Sequence, residues 1–211
     1  MKLRNICIIP ARGGSKRIKN KNIILLNGKP IISYAIDICK KSKIFEKIIV
    51  STDSLKISSI VKKYGITVSK LRPKNISNDK SPINSIIKYE YNNYGLNEYD
   101  YIFCFFPTAV LLEPQDLRNG LKKIASLNAS HLLTISPYKN PIQRAIKISK
   151  NKLKYISNIN IKKRSQCLKK SYFDTGGFFA HKVSDYSRKF NDNPKNSIGL
   201  VLDQIKSLDI N

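Results

Sequence analysis

Nothing in this 211-residue sequence stays apolar long enough to cross a bilayer as a helix, which takes about 20 residues, so no membrane partner is expected. The apolar run at residues 5 to 9 is too short and too poorly flanked for a secretory signal, and a cytoplasmic location is expected. Cys7, Cys39, Cys104 and Cys167 show no CxxC spacing, and His131 and His181 do not cluster with them as a zinc site requires. Reduced structural cysteines are therefore expected, with Cys7 and Cys104 as small buried hydrophobes inside apolar runs. Acidic residues are scarce: 14 Asp plus Glu stand against 39 Lys plus Arg, a formal charge of +25. Such a balance ordinarily points to nucleic acid or an anionic surface. Here the lysines run the whole length beside Ile and Asn, without a basic tail, zinc-finger spacing or the paired aromatics of an RNP-like strand. A bias toward these residue types explains the charge as well as selection for polyanions does, and no nucleic-acid partner is expected.

Internal repeats and low-complexity linkers are absent too, and the length suits one domain spanning residues 1–211. What is present alternates. "NICIIP" reads as a buried strand, and Pro30 opens a helix whose apolar face is Ile32, Ala35, Ile36 and Cys39. "KIIVSTD" reads as a second strand, and Ile57, Ile60, Val61 and Tyr64 mark a helix that stops at Gly65. "ITVSKLRP" predicts a short strand, followed by a helix after Pro82 that ends at Gly95. "YDYIFCFF" is the next strand, Leu117, Leu121, Ile124 and Ala125 form another helical face, and "HLLTIS" is a strand again. This alternation predicts a three-layer α/β fold with a mostly parallel sheet. From 141 to 171 the pattern changes, and "RAIKIS" and "KLKYIS" flank Lys150 and Asn151 as an antiparallel hairpin outside that sheet.

The loop after the first strand, "ARGGSKRIKNKN", is neither GxxxxGK[ST] nor GxGxxG. Gly13 and Gly14 allow close backbone approach or positive φ, and Arg12, Lys16, Arg17, Lys19 and Lys21 surround them with charge. Such a loop is either a solvated turn or a cradle for a multiply anionic ligand, and its place at a strand's carboxyl end favours the cradle.

"IIPARGGSKRIKNKN" resembles the signature of the cytidylyltransferases that activate nine-carbon acidic sugars, the CMP-sialic acid synthetases and their pseudaminic and legionaminic acid relatives. The resemblance continues in order through "NGKPIISYAI", "IIVSTD", "LRP", "SND", "PTA", "PIQRAIKI", "RSQ" and "DTGGFFAH". It implies a Rossmann-like nucleotidyltransferase fold, with CTP and a nonulosonic acid as substrates and Mg2+ as cofactor. The sugar's anomeric hydroxyl would attack the α-phosphorus and pyrophosphate would leave. By resemblance, Arg12 and Lys21 serve catalysis. The nucleotide would be bound by Ala11, Arg12, Gly13, Gly14, Ser15, Lys16, Lys21, Asn22 and Arg72, with Asn22 and Arg72 near the base. Asp53 is read instead as a helix N-cap, and Asp79 as a turn or a base-recognition residue.

Gln143, Arg144 and Arg164 are the candidate sugar-binding residues, Arg144 and Arg164 because planar cations suit the sugar's carboxylate. "PIQRAIKI" and "RSQ" favour the pseudaminic branch, and Phe106 stands where the sialic acid branch usually has Gln before its "PTSP" segment. Relatives are homodimers that use the 141–171 excursion, so Ile146, Ile148 and Tyr155 face either a neighbour or ordinary hairpin packing. Relatives also bind magnesium through Asp-Ile-Asp followed by an acidic helix. Here the chain ends "SLDIN", which makes Asp209 and Asn211 the implied metal ligands in a shortened site. A working synthetase, a weakened relative that only binds nucleotide, and a basic nucleic-acid-binding protein are the three function classes that remain.

Overall fold

The first strand decides the architecture. In the computed structural model, which describes residues 3–15, 17–156, 163–189, 195–208 and 210 (188 and 189 by backbone alone), β1 is Asn5–Pro10, and its first five residues are buried. A nearly continuous apolar run of this kind suits a strand covered on both faces. It pairs in parallel with β4 (Lys47–Ser51) on one side and β5 (Tyr101–Phe105) on the other. Between β1 and β4 lie the short pair β2 (Leu25–Leu26) and β3 (Lys29–Pro30) and the helix α1 (Ile31–Ser42). Between β4 and β5 lie α2 (Leu55–Lys62) and α3 (Ile83–Tyr94). Then follow α4 (Pro114–Ser126), β6 (His131–Pro137), β7 (Ile146–Ser149), β8 (Lys152–Tyr155), β9 (Tyr172–Lys182), α5 (Val183–Lys189) and β10 (Ser197–Val201).

The six-stranded sheet runs β10-β6-β9-β5-β1-β4. It is parallel except for β9, which is antiparallel to both β5 and β6. Its two faces carry separate cores, so the predicted three layers are present. Cys7 and Ile9 face α1, α2 and α4, meeting Ile36, Val61 and Leu117, while Ile6 and Ile8 face α3 and α5, meeting Ile87 and Val183. None of the four cysteines is in a disulfide; Cys7, Cys39 and Cys104 are buried and Cys167 is exposed. Among the described residues no helix is long and apolar enough to cross a membrane.

Helix boundaries follow chain punctuation. Pro30 and Pro82 precede α1 and α3, Pro114 opens α4, and Gly95 ends α3 at φ +60°, a conformation glycine adopts without a Cβ penalty. One expected cap moves by a residue: Ser54, not Asp53, caps α2, its Oγ accepting from Ile57 N at 3.4 Å. "ITVSKLRP" forms no strand. Its backbone meets the chain just beyond the edge strand β4, where Arg72 N donates to Thr52 O (2.7 Å), so it passes over the sheet's carboxyl edge without extending it. The hairpin forms as expected, with Lys150 and Asn151 at φ 50° and 57° as a two-residue primed turn requires.

Under the sheet's other end, His131 of β6 and His181 of β9 stack at 4.6 Å, and Tyr186 stacks on His181 at 4.2 Å. Both ring nitrogens of His181 are buried without a partner, and burial lowers His181 to about 3 and His131 to about 4 from the ordinary 6.5. The folded state therefore binds fewer protons than the unfolded state. The stability of the neutral pair is complete above pH 6.5 and is lost as pH falls through that value, at up to about 1.4 kcal/mol per unit for each histidine. Urea midpoints should fall between pH 7 and 5.5 in the wild type and fall less in His181→Phe; equal slopes would contradict this.

Candidate functional site

β4 and β5 lie on opposite sides of β1, so the chain's direction across the sheet reverses there, and a crevice opens beyond the carboxyl ends of β1 and β5. The cleft there, about 210 Å³, is lined by Pro10, Arg12 and Ser15 from the end of β1 and its loop, and by Lys21 and Asn22 from the helical turn that follows. Arg72, Ile83 and Ile86 of α3, and Phe106, Pro107 and Thr108 after β5 complete it.

The loop is held in shape by its own hydrogen bonds. Gly13 N donates to Asp53 Oδ1 at 2.8 Å, and Asn22 Nδ2 donates to Arg12 O at 2.9 Å. A Cβ on Gly13 would lie 2.9 Å from Ser54 Cβ, so this glycine serves close approach, whereas a Cβ on Gly14 would meet nothing within 4 Å. Arg12 pairs with the carboxylate of Asp79, and Lys21 Nζ donates to Ile210 O at 2.9 Å, which brings Ile210 to the cleft. The approach is braced further back, where Lys206 Nζ lies 2.8 Å from Glu113 and 2.9 Å from Asp116 at the start of α4.

Arg72 is 3% exposed yet lines the cleft. Its Nε donates to Ser77 Oγ at 3.0 Å and its Nη1 to Ser51 Oγ and Ser51 O at 3.3 and 3.4 Å. Nη2 has no partner among the described residues, and neither has Asn22 Oδ1. Burial pulls Arg72 below the ordinary guanidinium range, opposed by the charges of Asp53 and Glu90.

The structure does not bring all the sequence-predicted residues together. Ala11 is fully buried in the core and its N donates to Ser51 O at 2.8 Å, so it supports the loop from beneath. The Gly13 amide is already taken by Asp53, which removes it from any phosphate cradle in this conformation. Gln143, Arg144 and Arg164 lie apart from the cleft lining. Gln143 Nε2 donates to Lys169 O at 2.9 Å and Arg144 Nη2 to Lys163 O, while Arg164 is exposed. Within one chain Gln143 and Arg144 donate to backbone carbonyls of the same excursion, while Gln143 Oε1 is buried without a partner among the described residues. Lys16, Asp209 and Asn211 lie outside the described residues. Sequence reasoning passed over Ser51, Glu90 and the loop-binding role of Asp53. Glu90 alone carried a signal, as an acid on the apolar stripe of α3.

A profile of the family described as Cytidylyltransferase matches residues 6–176. The chain belongs to the cytidylyltransferase family. This cytidylyltransferase is 37% identical over 180 residues to a pseudaminic acid cytidylyltransferase of Campylobacter jejuni, covering 84% of this chain and 78% of the relative. It is 26% identical over 211 residues to an N-acylneuraminate cytidylyltransferase of Escherichia coli, covering 100% of this chain and 50% of that one. Its fold is similar to the structure of a CMP:2-keto-3-deoxy-manno-octonic acid synthetase complexed with CTP, with a TM-score of 0.66 at 14% identity, covering 94% of this chain and 90% of that one.

The two glycines of the cytidylyltransferase loop should separate. Gly13→Ala forces a Cβ into Ser54 and should cost about 1 to 3 kcal/mol in urea unfolding. Gly14→Ala should stay within about 0.5 kcal/mol of the wild type. Equal costs would contradict the close approach.

Proposed function

We propose that the chain transfers a cytidylyl group from CTP to a nonulosonic acid, pseudaminic acid first, giving the CMP-sugar and pyrophosphate. The observation that carries this is the polarity of the cleft. Two unpartnered N–H groups on Arg72 Nη2 and one unpartnered acceptor, Asn22 Oδ1, share a wall with Arg12 and Lys21. Cytosine presents the complement, acceptors at O2 and N3 and a donor at its amine, and uracil does not, because its O4 would face the Asn22 acceptor. The cations suit a triphosphate, and the open space beside Gly14 leaves room for it.

In the reaction an oxygen of the sugar forms a bond to the α-phosphorus as the α–β bridging bond breaks, the hydroxyl proton is lost and pyrophosphate carries away the electron pair. Arg12 and Lys21 neutralise the charge that gathers on the phosphates, Arg12 leaving Asp79 to do so and Lys21 leaving Ile210 O. Among the described residues no three His, Cys, Asp or Glu form a metal cage. Mg2+ is commonly held by one or two carboxylates together with substrate phosphates. Asp209 and Asn211 would hold it, since Ile210 between them is bonded to Lys21 of the cleft. Mg2+ would supply charge neutralisation at the phosphates.

The sugar side belongs to residues 141–171 in a homodimer, acting in the cytoplasm. The hairpin supports this: Ile146, Ile148, Leu153 and Tyr155 share one face of β7 and β8, and all are exposed. A neighbour covering them would carry Gln143, Arg144 and Arg164 toward a cleft that lacks them within one chain.

Pyrophosphate release from CTP with Mg2+ and pseudaminic acid tests the reading, and no release with any nonulosonic acid would contradict it. Arg12→Ala and Lys21→Ala should each weaken CTP binding by roughly tenfold to a hundredfold, the equivalent of about 1.5 to 3 kcal/mol for a charged hydrogen bond. Asp209→Ala should abolish Mg2+-dependent turnover, and Asn211→Asp should keep or raise it. Calorimetry giving unchanged CTP affinity in both cation variants would remove the assignment of the loop.

A further inference from the structure

Behind the cleft wall lies a buried carboxylate that the proposed reaction does not use. Glu90, on α3, is 2% exposed, in a helix whose other buried residues are Ile86 and Ile87. An ionised carboxylate in such a place is costly unless paired and hydrogen-bonded. Its partners are specific. Ser51 Oγ donates to Glu90 Oε1 at 2.5 Å, the Asn93 side chain also bonds it, and Arg72 attracts it. The same Ser51 accepts from Arg72 Nη1 through both its hydroxyl and its carbonyl. Ser51 is the last residue of β4, and its carbonyl also takes Ala11 N at the root of the β1 loop. The relay therefore runs from α3, through the end of the sheet, to the guanidinium on the cleft wall.

We propose that Glu90 is a positioning residue for nucleotide binding: through the Ser51 hydroxyl it fixes the Arg72 guanidinium so that Nη2 faces the cleft. The inference rests on the reading of that cleft as a CTP site. Its physical content is a division of labour on one planar cation. Ser77 holds Nε, Ser51 holds Nη1, and the remaining edge is left for the ligand. A Ser hydroxyl has one proton to donate, and Glu90 takes it, so the lone pairs of Ser51 Oγ are left to accept from Arg72. Without Glu90 that hydroxyl is free to rotate and the buried cation loses one of its two counter-charges, Asp53 being the other. With it, the fork of Arg72 is set before the base arrives, and binding does not bear the ordering cost. Glu90 touches no substrate in this arrangement, so its loss should appear in CTP affinity and leave the chemical step alone.

The test uses the full chain in three forms, wild type, Glu90→Gln and Ser51→Ala. Glu90→Gln should raise KM and Kd for CTP about tenfold, with kcat within about twofold, and Ser51→Ala should do the same to a smaller degree. The double variant should be no worse than Glu90→Gln alone, because the two act in series. Affinity for inorganic tripolyphosphate, which has no base, should not change. Nitrogen-15 NMR of the Arg72 Nη1 hydrogens, which Ser51 holds, should show slow hydrogen exchange in the wild type and fast exchange in Glu90→Gln. If Glu90→Gln does not fold, Ser51→Ala, which removes one oxygen, carries the affinity test. Wild-type CTP affinity in the variants, with only the melting temperature lowered, would overturn the proposal and leave Glu90 a packing residue. Failure of the wild type to bind CTP would instead overturn the CTP reading. The Arg72 exchange rates would then decide the positioning claim, slow in the wild type and fast in Glu90→Gln upholding it and equal rates refuting it.

Discussion

Everything at this site depends on β1 being a parallel strand paired on both edges. A parallel strand in the middle of a sheet has its backbone groups taken up by its neighbours and its side chains buried above and below. Such a strand offers a ligand nothing along its length. Its function must sit where it ends, and because β4 and β5 run the same way beside it, three chain exits open at one edge. The loop of Gly13, the approach of Arg72 over β4 and the Phe106–Thr108 segment after β5 meet there as a consequence of strand direction.

The second theme is charge held in reserve. The chain carries a formal +25, yet the cations of the cleft are already engaged, Arg12 with Asp79 and Lys21 with the Ile210 carbonyl. These partners are the chain's own acceptors, and on the proposed reading a triphosphate would replace them by exchange. That keeps the loop ordered before ligand arrives and makes the net gain on binding smaller than the charges alone suggest. Arg72 is handled differently. It is buried, Asp53 and Glu90 supply its counter-charge, and two of its three nitrogens are fixed by serines, so it acts by geometry more than by field. Elsewhere the lysines run the whole length of the sequence.

How much was legible in the sequence follows from which signals are local. Helices α1, α3 and α4 begin at prolines, and α3 ends at a glycine, because those residues impose dihedral angles by themselves, and the expected starts and stops match the structure. The hairpin register followed from the turn at Lys150 and Asn151 for the same reason. The missing strand in "ITVSKLRP" and the antiparallel β9 depend on which edge the chain meets, and periodicity carries no information about that. At the site, the cations were legible by type and Asn22 by resemblance. Ala11 was named by motif membership, which does not say which way a side chain faces, and its side chain faces the core. Asp53 was read as a cap, and one residue of slip gave that role to Ser54 and freed Asp53 to bind Gly13 N. Glu90 required knowing that α3 packs its polar position against the end of β4, a contact between residues 39 apart in sequence.

The most direct test of the central claim is a crystal structure of the chain with CTP bound. The account places the triphosphate against the Arg12–Lys21 loop, with Arg12 turned from Asp79 to phosphate, and the cytosine between Arg72 Nη2 and Asn22 Oδ1. A triphosphate seated on the lysines of the β7–β8 hairpin, with the Arg12–Asp79 pair intact and the cleft beyond β1 free of nucleotide, would contradict it.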